Sequence, residues 1–336
     1  DSKPEELGIA KAGESKSEKL TSKVEWFGFK QQFFSSILVA DDDFQDGVVG
    51  FDTYKANMGR IKDFRAVMSV PYSSDKSLYG FKMYYGPNKF NVLEQYDLGF
   101  EHIVPLGGTL VGWINRWFVI PIFDLLRNHI ASFGIIILIL AVLIRLIIAP
   151  LTYKSYVSMA KMRLIKPEMD ALAAKYPKQE DAMKRQQATM DLYKKAGINP
   201  MGGCVPMLIQ MPILIAMFRF FPASIALRGE SFLWAHDLSS YDSVLNLPFS
   251  IPFYGDHVSL FALLMAISTF TFSYINYKQT ASSQPQMPGM KFMMVYMMPL
   301  MLLFWFNSYA SGLCYYYLLS NLLTIAQTYI VRRMVD

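Results

Sequence analysis

Arg145 is the residue whose chemistry conflicts most with its surroundings. It interrupts an apolar run at 130–148, roughly five to seven residues from the nearer end of a helix that rises ~1.5 Å per residue. A charge at that depth costs about 3 kcal/mol on insertion scales, and more on an isolated helix. Either the long side chain snorkels to a headgroup region, or it faces a hydrated cavity, the usual setting of ionisable residues inside membranes. The long apolar runs of the chain contain no Asp or Glu. The second reading therefore asks for water or for an acidic partner from elsewhere.

Other polar residues punctuate the apolar runs: Gln210, then Ser268, Thr269, Thr271, Ser273 and Asn276, then Asn321, Thr324 and Gln327. Singly, such groups hydrogen-bond between helices. Together with Arg145 they describe a polar groove, for which Arg145, Gln210, Asn276, Asn321 and Gln327 are the candidate residues. Met287, Met290, Met293, Met294, Met297, Met298 and Met301 form a stripe. It reads either as core or as a soft surface that repacks around varied apolar partners.

Catalytic signatures are missing. The sequence holds no Gly-x-Ser-x-Gly elbow, no Gly-x-x-x-x-Gly-Lys phosphate loop and no His-Glu-x-x-His pair. None of His102, His129, His236 and His257 has a second metal-ligand type at suitable spacing inside an apolar run, and His236-Asp237 is expected to be a structural loop pair. Cys204 and Cys314 lie in apolar segments without metal-ligand spacing, as small core residues. The chain is read as a non-enzyme without cofactor or metal.

The elements that must position these groups follow from composition. Of 336 residues 53% are hydrophobic and 18% charged, with a formal charge of +5. Residues 1–100 carry charge at a soluble density, and the apolar surplus lies after Ile130. The basic residues are not laid out as a nucleic-acid stripe, so no specific nucleic-acid recognition is expected. Five runs, at 130–148, 201–226, 258–277, 292–309 and 313–331, approach the ~20 residues that cross ~30 Å of hydrocarbon. Pro206, Pro212, Pro222 and Pro299 are tolerable in them if neighbours satisfy the freed carbonyls. Between the first two runs stand Lys154, Lys161, Arg163, Lys166, Lys175, Lys178, Lys184, Arg185, Lys194 and Lys195. The loop 227–257 has Arg228 against Glu230, Asp237, Asp242 and Asp256. By the positive-inside rule, 152–200, 278–291 and the C-terminus are cytoplasmic, and the N-terminal region and 227–257 face outward.

Within 153–197, Met159, Met162, Ile165, Met169 and Leu172 recur at helical steps, as do Met183, Met190 and Tyr193. A break at Tyr176-Pro177 and a stop at Gly197 with Asn199-Pro200 make this an antiparallel helical hairpin. Residues 109–128 mix Trp113, Trp117, Phe118 and Phe123 with Arg116, Asp124 and Arg127, the signature of an interfacial amphipathic helix or of a simple connector. Residues 1–23 read as a polar linker. From 24 to 108, strand-like runs at 23–39, 80–85 and 89–95, with a turn at Gly86-Pro87-Asn88, predict part of an antiparallel β domain. The start at Asp1 and the lack of an apolar segment in the first 25 residues are read as a fragment of a longer protein. The expected fold is an all-α polytopic membrane core of five transmembrane helices with a cytoplasmic helical hairpin, preceded by a fragment of a periplasmic β-sandwich domain.

At this point several long motifs stand in order: 154–162 (KSYVSMAKM), 199–206 (NPMGGCVP) continuing through Leu208-Ile209-Gln210-Met211-Pro212, and Ser311-Gly312-Leu313 with Tyr316-Tyr317 and Ser320-Asn321. They closely resemble the bacterial YidC branch of the YidC/Oxa/Alb insertase family across 109–336. A weaker likeness at 24–39 is to the end of the large periplasmic domain of Gram-negative members. The resemblance implies a five-helix core in the bacterial inner membrane, around a hydrophilic groove in which Arg145 attracts acidic residues of a client's translocated tail. The client helix would leave along the second and fourth runs, with Met207, Met211, Met297 and Met301 as its apolar slide. The hairpin, with Met162, Lys166 and Tyr193, would receive clients and meet the ribosome or the signal recognition receptor. Partners implied are nascent membrane proteins, the Sec translocon and the lipid bilayer. A small-molecule transporter would show repeated halves, and none is found. A non-catalytic accessory subunit of a translocon predicts the same topology.

Overall fold

The computed structural model describes residues 4–8, 11–55, 58–76, 78–176, 181–197, 205–281, 289 and 291–335. Contacts divide the chain into Asp1–Pro105 and Leu106–Asp336.

The first unit holds two three-stranded antiparallel sheets. One has the order β2 (Val24–Lys30), β3 (Phe34–Phe44), β6 (Phe81–Pro87), and the other β1 (Ser15–Leu20), β4 (Asp46–Thr53), β5 (Lys62–Ser69). Along β3 the side chains alternate, so Ser35, Ile37 and Val39 turn inward. Phe29 of β2 stacks on Phe64 of β5 with ring centroids 5.2 Å apart, which joins the two sheets through aromatic packing. Two expectations are corrected. Residues 1–23 are not linker throughout, because 15–20 pair with β4 as an edge strand whose side chains are nearly all exposed. That exposure is why the composition reads as solvated chain. The run 89–95 is helical rather than a strand: α1 (Phe90–Leu93) continues into a 3₁₀ turn at Glu94–Tyr96. Phe90 and Leu93, three residues apart, are both buried, a spacing that suits a helix and not a pleat.

In the second unit α2 (Thr109–Ile114), a π turn (Asn115–Val119) and α3 (Ile120–Arg127) form one amphipathic stretch. It buries Val119 and Phe123 and exposes Leu110, Trp113, Trp117 and Leu125. The π turn swings Asn115 inward, where Nδ2 donates to the carbonyls of Leu106 (2.9 Å) and Ala216 (3.1 Å). Next, α4 (Phe133–Leu164) runs without interruption from the first apolar run past Pro150 into the basic segment. Pro167 opens α5 (Lys166–Lys175) in its first turn, and α6 (Ala182–Lys195) returns. Gly197 follows at φ +62°, the left-handed residue that ends helices. Pro177, Asn199, Pro200 and Cys204 lie outside the described residues.

Then come α7 (Val205–Ala223), a hairpin of β7 (Leu245–Ile251) and β8 (Gly255–Val258), α8 (Leu260–Ala281), a π segment (Phe292–Met297) leading into α9 (Met298–Phe306), and α10 (Ser311–Val335). Ile137 and Leu140 of α4, Phe221 of α7, Phe261 of α8 and Cys314 and Tyr316 of α10 share one core. Among the described residues three helical stretches are long and apolar enough to cross a membrane: Thr109–Arg127, Phe133–Leu164 and Leu260–Lys278. Leu208–Ala223 and Phe292–Phe306 are shorter apolar helices. The polar residues of α10, among them Ser320, Asn321, Thr324, Gln327, Thr328, Arg332 and Arg333, set it apart from these on composition.

Candidate functional site

At the ends of α8 and α10 farthest from the hairpin, the loop 227–258 closes the bundle. The buried Asp242 carboxylate accepts from the backbone N–H groups of Leu260 (2.9 Å) and Phe261 (3.0 Å), from Trp234 Nε1 (2.8 Å) and from Ser259 Oγ (2.5 Å). It thus caps α8, where a carboxylate favours the exposed amides and the helix dipole. Buried Asn307 accepts from Ser259 N and donates to the carbonyls of Tyr254 and His257. The first amides of α10 donate to the carbonyls of Ser240 (2.7 Å) and Leu238 (3.0 Å). Asp237 accepts from the amide and hydroxyl of Ser239. Leu227, Ala235 and Leu238 of this loop are core residues. This end is packed with saturated hydrogen bonds.

Farther along the helices the polar groups are less satisfied. The Arg145 guanidinium, half-buried on α4, donates to Ser320 Oγ of α10 at 2.5 Å. Tyr316, one turn earlier on α10, is buried. One position after Ser320, Asn321 turns to α8 and donates to Ser268 Oγ (3.0 Å) and Thr269 Oγ1 (2.8 Å). Neighbouring residues of α10 thus bind two different helices. Farther toward the hairpin, Tyr156 of α4 hydrogen-bonds Thr328 of α10. Both amide atoms of Gln210, the Gln327 carbonyl oxygen, the Ser155 hydroxyl and Arg163 Nε are buried without a hydrogen-bond partner among the described residues. Buried polar atoms of this kind cost about 1–3 kcal/mol each unless water or a ligand meets them. Asn276 is half-buried on α8.

Met211, Met297 and Met301 are exposed, beside Leu208, Ile215, Leu300 and Trp305. The side chain of Met207 lies outside the described residues. Met162 and Tyr193 are buried against each other in the hairpin with Met159, Ile165 and Met169 around them, and the Tyr193 hydroxyl donates to Met169 Sδ (3.5 Å). They hold the hairpin together, whereas Lys166, Leu164 and Met183 face outward from it.

Sequence reasoning passed over Ser320, Tyr156 and Thr328 as site residues, since a partner 175 positions away leaves no local signal. It also passed over Arg219, an exposed cation in α7 between Phe218 and Phe220. A lone charge four residues from the end of an apolar helix was a readable signal there.

Comparison with known proteins agrees with both units. A family model described as 60Kd inner membrane protein matches residues 125–336, and one described as YidC periplasmic domain matches residues 2–124. Proteins named membrane protein insertase YidC are similar to this chain. That of Parabacteroides distasonis is 46% identical, over 96% of this chain and 53% of the relative. That of Bacteroides fragilis is 44% identical, over 97% and 54%, and that of Phocaeicola vulgatus 45%, over 94% and 52%. The chain spans about half the length of the curated relatives it matches.

Proposed function

Because this chain belongs to the 60Kd inner membrane protein family, we propose that it inserts other proteins' transmembrane segments into the inner membrane. The observation that carries the reading is Arg145. Among the described residues its one hydrogen-bond acceptor is a neutral hydroxyl, and α4, α7, α8, α9 and α10 contain no Asp or Glu. A hydrogen bond to a charged group is worth about 1.5–3 kcal/mol, similar to the cost of the charge at depth, so the arginine is tolerated while its charge stays uncompensated. The unpartnered atoms of Gln210 and Gln327 support a wet groove lined by Arg145, Gln210, Asn276, Asn321 and Gln327.

A client's acidic tail entering that groove gains a counter-ion and keeps part of its hydration, which lowers the desolvation cost of its passage. Burial of the client's apolar segment in lipid drives the remainder at about 25 cal/mol per Å². Exposed Met211, Met297 and Met301, with Met207, offer the client helix a soft apolar slide. No bond is made or broken, so no cofactor is required.

Five spans, α4, α7, α8, the π segment with α9, and α10, carry this groove, with Thr109–Arg127 lying in the interface. The basic segment around the hairpin orients it to the cytoplasm, along with the C-terminus, while the first unit and the loop 227–258 face the periplasm. The saturated hydrogen bonds around Asp242 and Asn307 support a groove closed on the periplasmic side. The hairpin, through exposed groups such as Lys166, receives clients from the ribosome or the signal recognition receptor, and the chain acts alone or with the Sec translocon. The test is insertion of a single-span client into liposomes holding only this chain, read by protease protection. Protection that depends on Arg145 is the expected result. No protection by well-folded protein would leave an accessory role in a translocon.

A further inference from the structure

Arg145 is not alone on its face of α4. Tyr156 follows 11 residues later and Arg163 after 18, and at ~3.6 residues per turn these are close to three and five whole turns. All three therefore lie on one stripe, with the arginines ~27 Å apart at ~1.5 Å per residue. The contacts agree with the count. The stripe runs along α10, where Arg145 meets Ser320 and Tyr156 meets Thr328. The Tyr156 hydroxyl lies within electrostatic reach of both guanidiniums.

Three atoms without a hydrogen-bond partner among the described residues mark the stretch between and below these rungs: Ser155 Oγ, Gln327 Oε1 and Arg163 Nε. No Asp or Glu occurs anywhere in α4 or α10, so nothing on either helix neutralises Arg163. The acidic residues nearest in sequence are Glu168 and Asp170 of α5, yet Arg163 Nε meets no acceptor among the described residues, and a buried N–H donor on a cation fits an incoming carboxylate.

We infer that Arg163 is a second cationic station for the client's acidic tail, at the hairpin end of the α4–α10 seam. The tail docks there and passes Tyr156 before reaching Arg145. This rests on the insertase reading above and adds a residue and an order of events to it. Arg163 binds the tail by charge and hydrogen bond, and no covalent step is involved. Two stations spread the desolvation of the tail over two smaller steps, each compensated by a fixed cation.

The experiment reconstitutes this chain in liposomes, with and without anionic phospholipid, and supplies a single-span client whose translocated tail carries either aspartates or asparagines. Arg163→Gln is expected to slow insertion of the aspartate tail roughly two- to fivefold, the loss of one partly screened ion pair. It should leave the asparagine tail at the parent rate, and Arg163→Lys should restore the aspartate tail. Equal slowing of both tails would mean a structural role and would overturn the inference. Slowing seen only in anionic vesicles, whatever the tail, would assign Arg163 to lipid phosphates and overturn it equally. If Arg163→Gln changes nothing while Arg145→Gln still separates the two tails, the second station is refuted and the insertase reading stands. If the parent chain inserts neither client, both readings fall.

A measurement on the parent chain needs no variant. A photoreactive residue in the tail of a stalled client should label the segment 154–163 at early times and the surroundings of Ser320 later. Labelling at Ser320 with none at 154–163 would refute the order.

Discussion

Arg145 and Ser320, 175 residues apart in sequence, meet at 2.5 Å across the α4–α10 seam, a charged donor on a neutral acceptor. The hydroxyl satisfies one N–H of the guanidinium and leaves its charge available. Arg145→Ala should therefore lower insertion of a client with an acidic tail about tenfold or more, as for loss of a hydrogen bond between charged groups. Arg145→Lys should largely preserve it. Equal rates for all three proteins in the liposome assay would exclude the electrostatic contribution.

Asn307 carries three hydrogen bonds at a fully buried position, linking Ser259, Tyr254 and His257. Asn307→Ala strands one amide and two carbonyls, so a loss of about 3 kcal/mol is expected at ~1 kcal/mol or more per orphaned group. Thermal unfolding in detergent measures it. An unchanged midpoint would show that water replaces the side chain.

Asp242 receives four donors and offers none. Asp242→Asn turns one acceptor into an N–H that points at other N–H or O–H groups. It should destabilise the α8 end more than Asp237→Asn, whose carboxylate meets only Ser239 among the described residues. The comparison of the two midpoints in one detergent decides the point.

The hairpin is held by Met162 and Tyr193, and burial pushes the Tyr193 phenol above its ordinary value. A raised value means the folded hairpin disfavours the phenolate. Its packing is fully present below the unfolded value near 10 and weakens as pH rises through the folded one. Limited proteolysis within 166–195 should accelerate above about pH 10 and stay flat below it. Tyr193→Phe should remove the rise.

Removing 160–190 should abolish insertion and leave the helices around Ile137, Phe221 and Phe261 folded. Full activity of that deletion would take the hairpin out of the mechanism. Circular dichroism beside the insertion assay separates this from global misfolding.

Much of this was readable from residues alone, because membranes make hydropathy explicit. The helical steps of Met159, Met162, Ile165 and Met169 anticipated the hairpin core, and the lack of Asp and Glu in the apolar runs is in keeping with the neutral hydroxyl that Arg145 meets. What stayed hidden depends on long-range partners. Ser320 and Thr328 look like ordinary helix residues until α4 packs on α10. The two π segments, at Asn115–Val119 and Phe292–Met297, have no local signature either. The residues 89–95 show a third limit. Phe90 and Val92 suit a strand, and the joint burial of Phe90 and Leu93 decides for a helix.

The clamp that Asp242 and the carbonyls of Leu238 and Ser240 place on the first turns of α8 and α10 also sets how these helices can move. Sliding past one another would break amide hydrogen bonds at the fixed end, whereas splaying spares these and is opposed by the Asn321 bonds to Ser268 and Thr269 partway along. The pair therefore behaves as tongs riveted at one end. A rotation of ~3° at the rivet carries the far end of a helix as long as α10, ~37 Å at ~1.5 Å per residue, through ~2 Å. The separation of α8 and α10 beside the hairpin is thus governed by an angle set at the opposite end.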